Sequence, residues 1–600
     1  MPAAVPSTPR SVVRIGGASG FWGDSSVGAR QLVDSGQIDY LVFDYLAETT
    51  MAVLAAARLR KPEMGYATDF VDVAMRDVLA DCVVRGIKVV SNAGGIHPEA
   101  CAAALRALAA ELGVPARIAV VLGDDVSAQL PALCAAGTTD MFTGEPLPAK
   151  LLSASAYLGA QGVRQALAAG ADVVVTGRCV DSAVTLGPLM HEFGWADDDW
   201  DRLAGGSLAG HIIECGCQAT GGLHTDWQAI PDWAHIGYPI VECAADGSFS
   251  VTKPAGTGGR MLRAAVAEQM LYEIGDPAAY LLPDVACDFR DVVITQQDDD
   301  HVHVTGARGR PPTDSYKVSA TAQDGWRCAG SLVIVGLDAA AKAQRTGEAI
   351  LERTRELFAA RGWADYSATH IELLGVESLY GPRARTGAAR EVMLRLVVDH
   401  ASRPALELFA REVAPAGTSW APGTTGPGAG RPSVSPLIKP SAFLLAKSEV
   451  PVSVVTEGEA RPVPWPATFV SIAAAPTKAP PEVDLRSATH EVPLIALAWA
   501  RSGDKGDLSN IGLVARRPEW LPWIWAGVTP EAVKAWFAHL VRGEVERFHL
   551  PGIHGLNLLL HGALAGGGPR SPRMDPLGKG MGQMLLELPI RVPADIANAD

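Results

Sequence analysis

Three carboxylates and one thiol in Gly-rich segments are the side chains best suited to proton transfer or nucleophilic chemistry. Glu214 follows the apolar run His211-Ile212-Ile213 and precedes Cys215, which a glycine flanks. We expect burial there to raise the pKa of the Glu214 carboxyl group, the property that a general acid/base needs. Asp24 and Asp44 are predicted to assist it. Cys215 is a candidate nucleophile, and a small buried thiol is the alternative.

A wider set of glycines and polar residues is predicted to bind a ligand. Backbone N–H groups of a Gly-rich turn can hold a phosphate without a lysine. Carboxylates that converge would raise one another's pKa or hold a divalent cation, so a divalent metal stays open, although no metal ligand is assigned. The predicted ligand-binding residues are Gly16, Gly17, Ser19, Gly20, Trp22, Asn92, Gly94, Gly95, Arg178, Asp181, Lys253, Arg501, Asp504 and Lys505.

Each of these residues also has a plainer explanation. The glycines could serve only to make tight turns between strand and helix. Asp and Asn prefer helix N-caps, and for Asp124 and Asp181 a cap is at least as well supported as a ligand contact. Five such loops in one sheet favour a ligand site over turns alone.

The first Gly-rich loop comes near a dinucleotide-binding fingerprint. Asp44 stands about twenty residues after it, where a ribose-binding acid would lie. However, Gly17, Gly20 and Gly23 recur at every third residue instead of as G-x-G-x-x-G, and bulky Phe21-Trp22 interrupts them. A dinucleotide-dependent oxidoreductase is therefore an alternative, and binding of phosphate of some kind is better supported.

Composition and absent motifs exclude several classes of protein. With 51 Lys and Arg against 66 Asp and Glu, a net charge of -15 and no basic run, nucleic acid is not an expected partner. No apolar run approaches the twenty residues of a membrane span. The first ten residues have no apolar signal region. The nine cysteines are scattered along the chain, which indicates reduced thiols. We expect a cytoplasmic protein. No Walker A, G-x-S-x-G or H-E-x-x-H segment occurs, and Cys215 and Cys217 alone do not support a zinc site.

Alternating β-branched runs and Ala/Leu-rich stretches up to about residue 210 predict βα units and a mostly parallel sheet, doubly wound or, as the less favoured alternative, a barrel. Beyond residue 226, period-two alternation predicts antiparallel hairpins over about 227–340, including the runs Asp291–Gln296, His301–Thr305, Tyr316–Thr321 and Ser331–Leu337. The predicted parallel strands are Ser11–Ile15, Ile38–Phe43, Ile87–Val90, Arg117–Leu122 and Asp172–Val175.

Two Gly- and Pro-rich stretches predict long loops, residues 414–440 and 461–481. We place a catalytic α/β domain at 11–455, a Pro-rich linker at 456–490 and an α+β domain at 491–595. The last domain is predicted as β-β-α-β-α-β, with a helix around Leu556–Leu564 and a final strand near Met584–Ile590.

Several long motifs resemble the acyclic terpene utilisation protein A family. They are Ile15 to Asp24, Tyr40 to Glu48, Gly65 to Phe70, Ser91 to Gly95 and Gly210 to Gly216, together with Arg501 to Asn510 and Gly566 to Gly568 of a ferredoxin-like C-terminal domain. The resemblance implies a role in the breakdown of branched acyclic terpenoids, such as citronellol and geraniol, or of related branched acids through CoA thioesters. It implies lyase or hydratase chemistry by pathway context.

The leading hypothesis is an enzyme that binds an acyl-CoA or branched acid and transfers protons next to the thioester carbonyl. Glu214 would do so together with Asp24 or Asp44. A non-catalytic subunit or scaffold that binds a CoA ligand and docks an acyl-CoA carboxylase is the alternative from another class. We further expect a homo-oligomer and no certain cofactor.

Overall fold

The computed structural model describes residues 10–148, 150–426, 430–465 and 473–599. Residues 466–472 of the predicted linker and residues 427–429 of the predicted 414–440 loop lie outside the described residues. The described chain forms a large α/β domain followed by a small α+β domain. The limits of the predicted domains stay a prediction.

Strands and helices of the large domain cover most of its length. The strands are β1 (Val12–Gly17), β2 (Tyr40–Phe43), β3 (Lys88–Gly95), β4 (Ile118–Leu122), β5 (Ser153–Ala156), β6 (Val173–Gly177), β7 (Ile240–Ala244), β8 (Phe249–Thr252), β9 (Tyr280–Leu281), β10 (Ala286–Asp288), β11 (Val293–Gln296), β12 (Val302–Thr305), β13 (Arg308–Arg310), β14 (Ser315–Val335), β15 (Ala368–Leu374), β16 (Glu391–His400), β17 (Val434–Ala446), β18 (Ser453–Thr456) and β19 (Glu459–Pro462). The helices are α1 (Val27–Ser35), α2 (Glu48–Arg60), α3 (Arg76–Arg85), α4 (Pro98–Leu112), α5 (Leu130–Ala135), α6 (Gln161–Ala168), α7 (Ala183–Phe193), α8 (Trp200–Ile213), α9 (Arg263–Leu271), α10 (Ala339–Ala359), α11 (Arg403–Glu412) and α12 (Ala416–Ser419).

All five predicted parallel strands are present at the centre of one sheet, in the order β1-β2-β3-β6-β4. Antiparallel strands extend this sheet on both sides: β7, β8, β12 and β11 beyond β1, and β18 and β19 beyond β4. Since β11 and β19 are its edges in the described chain, the sheet is open and the barrel alternative is wrong. The predicted α/β fold class with antiparallel additions is confirmed.

Helices cover both faces of the parallel centre, as the alternation of side chains on β2 shows. Tyr40 and Val42 pack into the core that contains α6, α7 and α8. Leu41 and Phe43 pack into the core that contains α1, α3 and α4. Because successive side chains of a strand point to opposite faces, both faces are occupied by packing. Functional groups must therefore come from the loops at the strand ends.

The antiparallel section differs from its prediction in one respect. The runs Tyr316–Thr321 and Ser331–Leu337 were predicted as separate strands, but they belong to the single strand β14. The register shifts between Gln323 and Trp326, so the turn-like Asp324-Gly325 is accommodated as a β-bulge within one long strand. In addition, β17 pairs with β14 and begins at Val434, inside the predicted 414–440 loop.

The C-terminal domain is built on a four-stranded antiparallel sheet of the order β21-β22-β24-β23. Its strands are β20 (His490–Pro493), β21 (Ala498–Lys505), β22 (Leu508–Ala515), β23 (Val545–Leu550), β24 (Gly555–Leu560) and β25 (Pro589–Val592), and its helices are α13 (Leu521–Gly527), α14 (Pro530–Trp536), α15 (Met581–Leu585) and α16 (Ala594–Ala597). Among the described residues, no helix of either domain has the length and apolarity that crossing a membrane would need.

Two predicted elements of this domain are wrong. The segment predicted as a helix around Leu556–Leu564 forms the strand β24 over most of its length. Its side chains alternate between two faces: Leu556 and Leu558 point into the core of the domain, and Asn557 points toward the large domain. A strand buried on both faces reads as a continuous apolar run, which periodicity does not distinguish from a buried helix. The predicted final strand near Met584–Ile590 begins only at Pro589, after α15.

Gly17→Ala is expected to lower the free energy of unfolding by about 1–3 kcal/mol, the usual range for overpacking. A Cβ atom at Gly17 would lie 2.7 Å from the carbonyl oxygen of Ile213, a backbone atom that cannot move aside alone. Urea denaturation of the full chain measures the effect. Gly387→Ala is the matched control, because a Cβ atom there meets nothing within 4 Å. Equal stability of the two variants would contradict the close approach.

Candidate active site

The candidate active site is a cavity of about 1110 Å³ at the carboxyl ends of the parallel strands. The loops after β1, β2 and β6 and the segment after α8 form one side of it. The β21–β22 turn and residues 566–570 of the C-terminal domain form another. Eight predicted site residues lie in its wall: Gly20, Trp22, Asp24, Asp44, Asp181, Glu214, Cys215 and Asp504.

Glu214 forms a buried hydrogen-bonded pair with His211, one helical turn earlier. Glu214 Oε1 lies 2.8 Å from His211 Nδ1, and His211 Nε2 lies 3.1 Å from the carbonyl oxygen of Met270. Since a carbonyl only accepts, Nε2 carries a proton and donates it to Met270. Burial raises the pKa of Glu214, and His211 offsets part of the rise. Although burial alone lowers the pKa of His211, the Glu214 carboxylate raises it above its ordinary value.

Asp44, Asp181 and Glu214 bring their carboxylate oxygens within 4.8 Å of one another. Asp44 is buried and accepts a 2.6 Å hydrogen bond from the Asn92 side-chain amide. Burial and then the negative charges of Asp181 and Glu214 raise the pKa of Asp44 well above its usual range. Burial and mutual repulsion therefore favour the protonated forms of Asp44 and Glu214. Three oxygen ligands at this spacing also fit a divalent cation, which would be bound only after these protons are lost.

A buried positive charge balances this cluster on the β6 side. Arg178 Nη1 donates to Asp181 Oδ1 at 2.7 Å, and its guanidinium lies 4.0 Å from the centre of the Tyr157 ring. Tyr157 in turn donates to Glu48 Oε1, which also accepts from Lys317 Nζ at 3.1 Å. Although burial alone would raise the pKa of Glu48, the neighbouring cations hold it well below its usual range. Arg178 is thus placed to stabilise negative charge in the cavity.

Lysines of the C-terminal domain meet the large domain at Glu273. Lys505 Nζ lies 3.3 Å from one carboxylate oxygen of Glu273, and Lys579 Nζ lies 3.8 Å from the other. Burial lowers the pKa of Lys579 to about 8. Burial and then the charge of Glu273 raise the pKa of Asp504 to about 8. The C-terminal domain therefore adds two ionisable groups that titrate near neutral pH.

Two buried asparagines of the C-terminal domain hold the turn after α9. Asn510 Oδ1 accepts from the backbone N–H of Glu273 at 2.9 Å, and Asn510 Nδ2 donates to the carbonyl of Leu271 at 2.7 Å. Asn557 Nδ2 donates to the carbonyls of Ile274 and Gly275, at 2.8 Å each. Glu273 has a φ of 59°, an unfavourable value for this residue type, which these hydrogen bonds maintain.

Two smaller cavities adjoin the main one. The first, of about 600 Å³, shares Glu48, Asp181, Glu273 and Lys317 with it and contains the predicted ligand residues Arg178 and Lys505 in its wall. The second, of about 470 Å³, shares Leu223 and other residues with it and lies between residues 218–236 and the C-terminal domain. The three cavities together form a branched space around Glu214.

Most of the predicted ligand-binding glycines lie beside protein atoms. A Cβ atom at Gly17 would meet the backbone of Ile213, and one at Gly20 would meet the backbone of Cys215 at 2.9 Å. Gly16 packs against Leu32, Gly94 lies against the carbonyl of Thr176, and Gly95 against that of Gly65. These glycines allow close packing of strand ends, and only Gly20 among those five reaches the cavity wall. The predicted ligand contact of Gly16, Gly17, Gly94 and Gly95 stays a prediction, whereas Gly20 lies in the wall of the cavity.

The remaining predicted residues divide into two groups. Ser19, Trp22, Asp24 and Asn92 support the site: Ser19 donates to the Asp44 carbonyl, Trp22 to the carboxylate of Asp69 and Asn92 to that of Asp44. Asp24 accepts from the backbone N–H of Gly20 at 2.9 Å and from the Tyr238 hydroxyl at 3.0 Å.

Burial and then the charge of Glu214 raise the pKa of Cys215 well above its ordinary value, which disfavours a thiolate nucleophile.

Lys253 and Arg501 lie away from the cluster. Lys253 Nζ donates to the carbonyl of Thr257 at 2.8 Å, and Lys253 is not among the residues that line the three cavities. Arg501 donates to Gln218, to the carbonyl of Gly222 and to Glu268, which joins the C-terminal domain to the large one. Arg501 therefore has a docking role in this structure.

Sequence reasoning missed His211, Tyr157, Lys317, Glu273 and Lys579. His211 could have been found, because its i,i+3 spacing from Glu214 places both side chains on one face of α8. The other four come from distant parts of the chain and carry no local pattern. Only the fold brings them to the cavity.

These features define a two-domain α/β protein with a buried cluster of ionisable groups between its domains. A family model described as acyclic terpene utilisation family protein AtuA matches residues 13–456, and a model of the AtuA ferredoxin-like domain matches residues 492–591. The chain therefore belongs to the AtuA family, whose members take part in acyclic terpene utilisation, and the predicted resemblance is confirmed. Neither a curated protein nor a solved structure shows a significant match to the chain.

Glu214→Gln is expected to lower the pKa of His211 below the ordinary histidine value of about 6.5. Without the carboxylate, burial is the dominant influence on the ring, and the Gln amide can donate to Nδ1 of a neutral imidazole. A ¹⁵N NMR titration of histidine-labelled protein, assigned with a His211→Gln variant, measures the shift. Glu546→Gln is the control, since Glu546 pairs with the surface residue His561. An unchanged His211 pKa would contradict the pairing.

Asn510→Ala is expected to lower the free energy of unfolding by about 1–3 kcal/mol, since it leaves the Glu273 N–H and the Leu271 carbonyl without their partner in a buried interface. Hydrogen exchange of residues 271–275 should also become faster. Urea denaturation and exchange mass spectrometry measure the two effects. Asn598→Ala is the control, because Asn598 is exposed and bonds only within α16 and its end. Equal stability of both variants would count against the docking role.

Proposed function

We propose that this protein is a lyase or hydratase that acts on the CoA thioester of a branched acyclic acid. The observation that carries the proposal is the buried Glu214–His211 pair, in which Glu214 lies beside Asp44 and Asp181 in the wall of the cavity of about 1110 Å³. A carboxyl group of raised pKa with a fixed proton partner is suited to accept and return a proton near neutral pH. Membership of the AtuA family supports the branched acyclic substrate.

In this proposal Glu214 is the acid/base group and His211 holds the second proton. The Met270 carbonyl fixes His211 Nε2 as a donor, so that Nδ1 faces Glu214 Oε1 and can stabilise either of its charge states. Proton removal next to a thioester carbonyl develops negative charge on the carbonyl oxygen. Arg178 and Lys317, which line the adjoining cavity, supply positive potential for that charge.

The geometry argues against both alternatives, a dinucleotide-dependent oxidoreductase and a non-catalytic scaffold that binds CoA. A dinucleotide would need the space beside Gly17 and Gly20, which the backbone of residues 213–215 occupies. A CoA-binding scaffold would have no use for buried carboxylates of raised pKa, which are costly to fold. Acid/base catalysis therefore has the better support. The CoA thioester, the divalent metal and the homo-oligomer remain proposals.

Glu214→Gln is expected to lower the rate of turnover by about 10²–10⁴-fold, the usual contribution of a general acid/base. The assay offers branched C5 and C10 enoyl-CoA and 3-hydroxyacyl-CoA thioesters and detects products by mass spectrometry, with solvent deuterium at C2 as a second readout. Parallel reactions with EDTA or with added Mg²⁺ and Mn²⁺ test the cation. Glu546→Gln, which removes an exposed carboxylate paired with His561, should keep full activity.

Two results would refute the proposal. One is calorimetry in which no acyl-CoA binds the wild-type protein. The other is turnover that persists in Glu214→Gln at the rate of the control variant.

A further inference from the structure

The cavity of about 470 Å³ is the part of the branched space that the proposed chemistry leaves unused. Its wall combines Leu223, Trp227, Ile230, Trp233 and Ile236 of the large domain with residues of the C-terminal domain. We call these five residues and the space beside them the tryptophan groove. Leu223 and Ile236 also line the main cavity, so the groove adjoins the cavity that contains the acid/base cluster.

Three of the five apolar side chains of the groove are unusually exposed for their size, whereas Ile230 is buried. Leu223 is 69%, Trp227 55% and Trp233 59% exposed. The two tryptophan rings contact each other edge to face, with centroids 5.8 Å apart. Leu223 also has a φ of 58°, which is strained for a leucine. Clustered exposed apolar groups and backbone strain are features that accompany ligand-binding sites.

The charges along the groove indicate which part of a ligand it suits. Arg501 donates to protein groups, Gln218 and the carbonyl of Gly222, and Lys579 lies at the inner end shared with the main cavity. Near the outer end, Asp232 is paired with His235 and Asp226 with Arg516. Most of these charged groups are thus paired within the protein, whereas the large-domain wall offers an uncharged hydrocarbon the apolar surface of Trp227, Ile230 and Trp233.

The other adjoining cavity has the opposite character. Arg178, Lys317 and Lys505 line it beside apolar residues and the carboxylates of Glu48, Asp181, Glu273 and Asp314, so cations that can meet a charged group are concentrated there. A ligand with one charged and one hydrocarbon end is therefore expected to place its charged end on that side. This leaves the tryptophan groove for the hydrocarbon end.

We infer that the tryptophan groove binds the branched hydrocarbon tail of the acyl chain and sets the preference for chain length. The inference rests on the proposed function, since it assumes that the acyl carbonyl lies beside Glu214. Burial of one additional isoprene unit between the tryptophans and Leu223 should tighten binding by about tenfold or more.

Calorimetry with two saturated thioesters tests the inference. 3-Methylbutanoyl-CoA and 3,7-dimethyloctanoyl-CoA share the branched carboxyl end and differ by one isoprene unit. The wild-type protein should bind the longer thioester about tenfold or more tightly. Trp227→Ser and Trp233→Ser should each reduce that preference by about fivefold and leave the affinity for the shorter thioester unchanged, because both residues line the groove and not the main cavity. Both side chains are exposed, so these substitutions should not prevent folding, which circular dichroism checks.

Leu281→Ser is the matched control, because Leu281 is 59% exposed and lines the other adjoining cavity. If Leu281→Ser removes the chain-length preference and the groove variants keep it, the tail lies in the other cavity and the inference is wrong. If light scattering shows that the groove variants change only the oligomeric state, the groove is an interface between copies and the inference is likewise overturned. Equal binding of both thioesters overturns the inference alone. Binding of neither overturns the proposed function as well.

Discussion

The close approach of the β1 loop to the end of α8 is the constraint on which the site depends. Gly17 lies against the backbone of Ile213 and Gly20 against that of Cys215, with no room for a side chain in either place. The contact sets the end of α8 over the carboxyl ends of β1 and β2. Glu214 is thereby brought to Asp44, which follows β2 and is 170 positions away in the sequence.

Three carboxylates that lie close together in a buried cluster repel one another, which destabilises the folded state. The surrounding residues offset part of this repulsion. His211, Asn92 and Arg178 each contribute one interaction to Glu214, Asp44 and Asp181, respectively. The remaining cost appears as raised pKa values of Asp44 and Glu214. If this cluster served only stability, apolar residues of similar size in its place would make the folded protein more stable. Its presence in the wall of a large cavity is better explained by chemistry.

Much of the fold could be predicted from the sequence, because the parallel strands are apolar runs that end in glycine or polar residues. The convergence of Asp24, Asp44 and Asp181 could also be predicted, since the ends of parallel strands share one edge, whereas Asp504 reaches the cavity from the C-terminal domain. The role of the glycines could not be predicted from the sequence. A glycine indicates that other atoms come close to the backbone, but it does not show whether those atoms belong to a ligand or to the protein. At Gly20 they belong to the backbone of Cys215. The Leu-rich β24 was misread for a related reason, because a strand buried on both faces has no period of two.

The interface between the domains argues that the C-terminal domain is part of the site and not an appendage. Asn510 and Asn557 fix the turn after α9, and Arg501 donates to Glu268 within that helix. The same helix ends near Met270, whose carbonyl orients His211 and hence the proton on Glu214. A displacement of the C-terminal domain would thus act on the acid/base pair through the backbone of residues 268–275 and through the charge of Lys505 near His211. On this geometry, docking of the C-terminal domain and orientation of the His211 ring depend on the same backbone segment, residues 268–275.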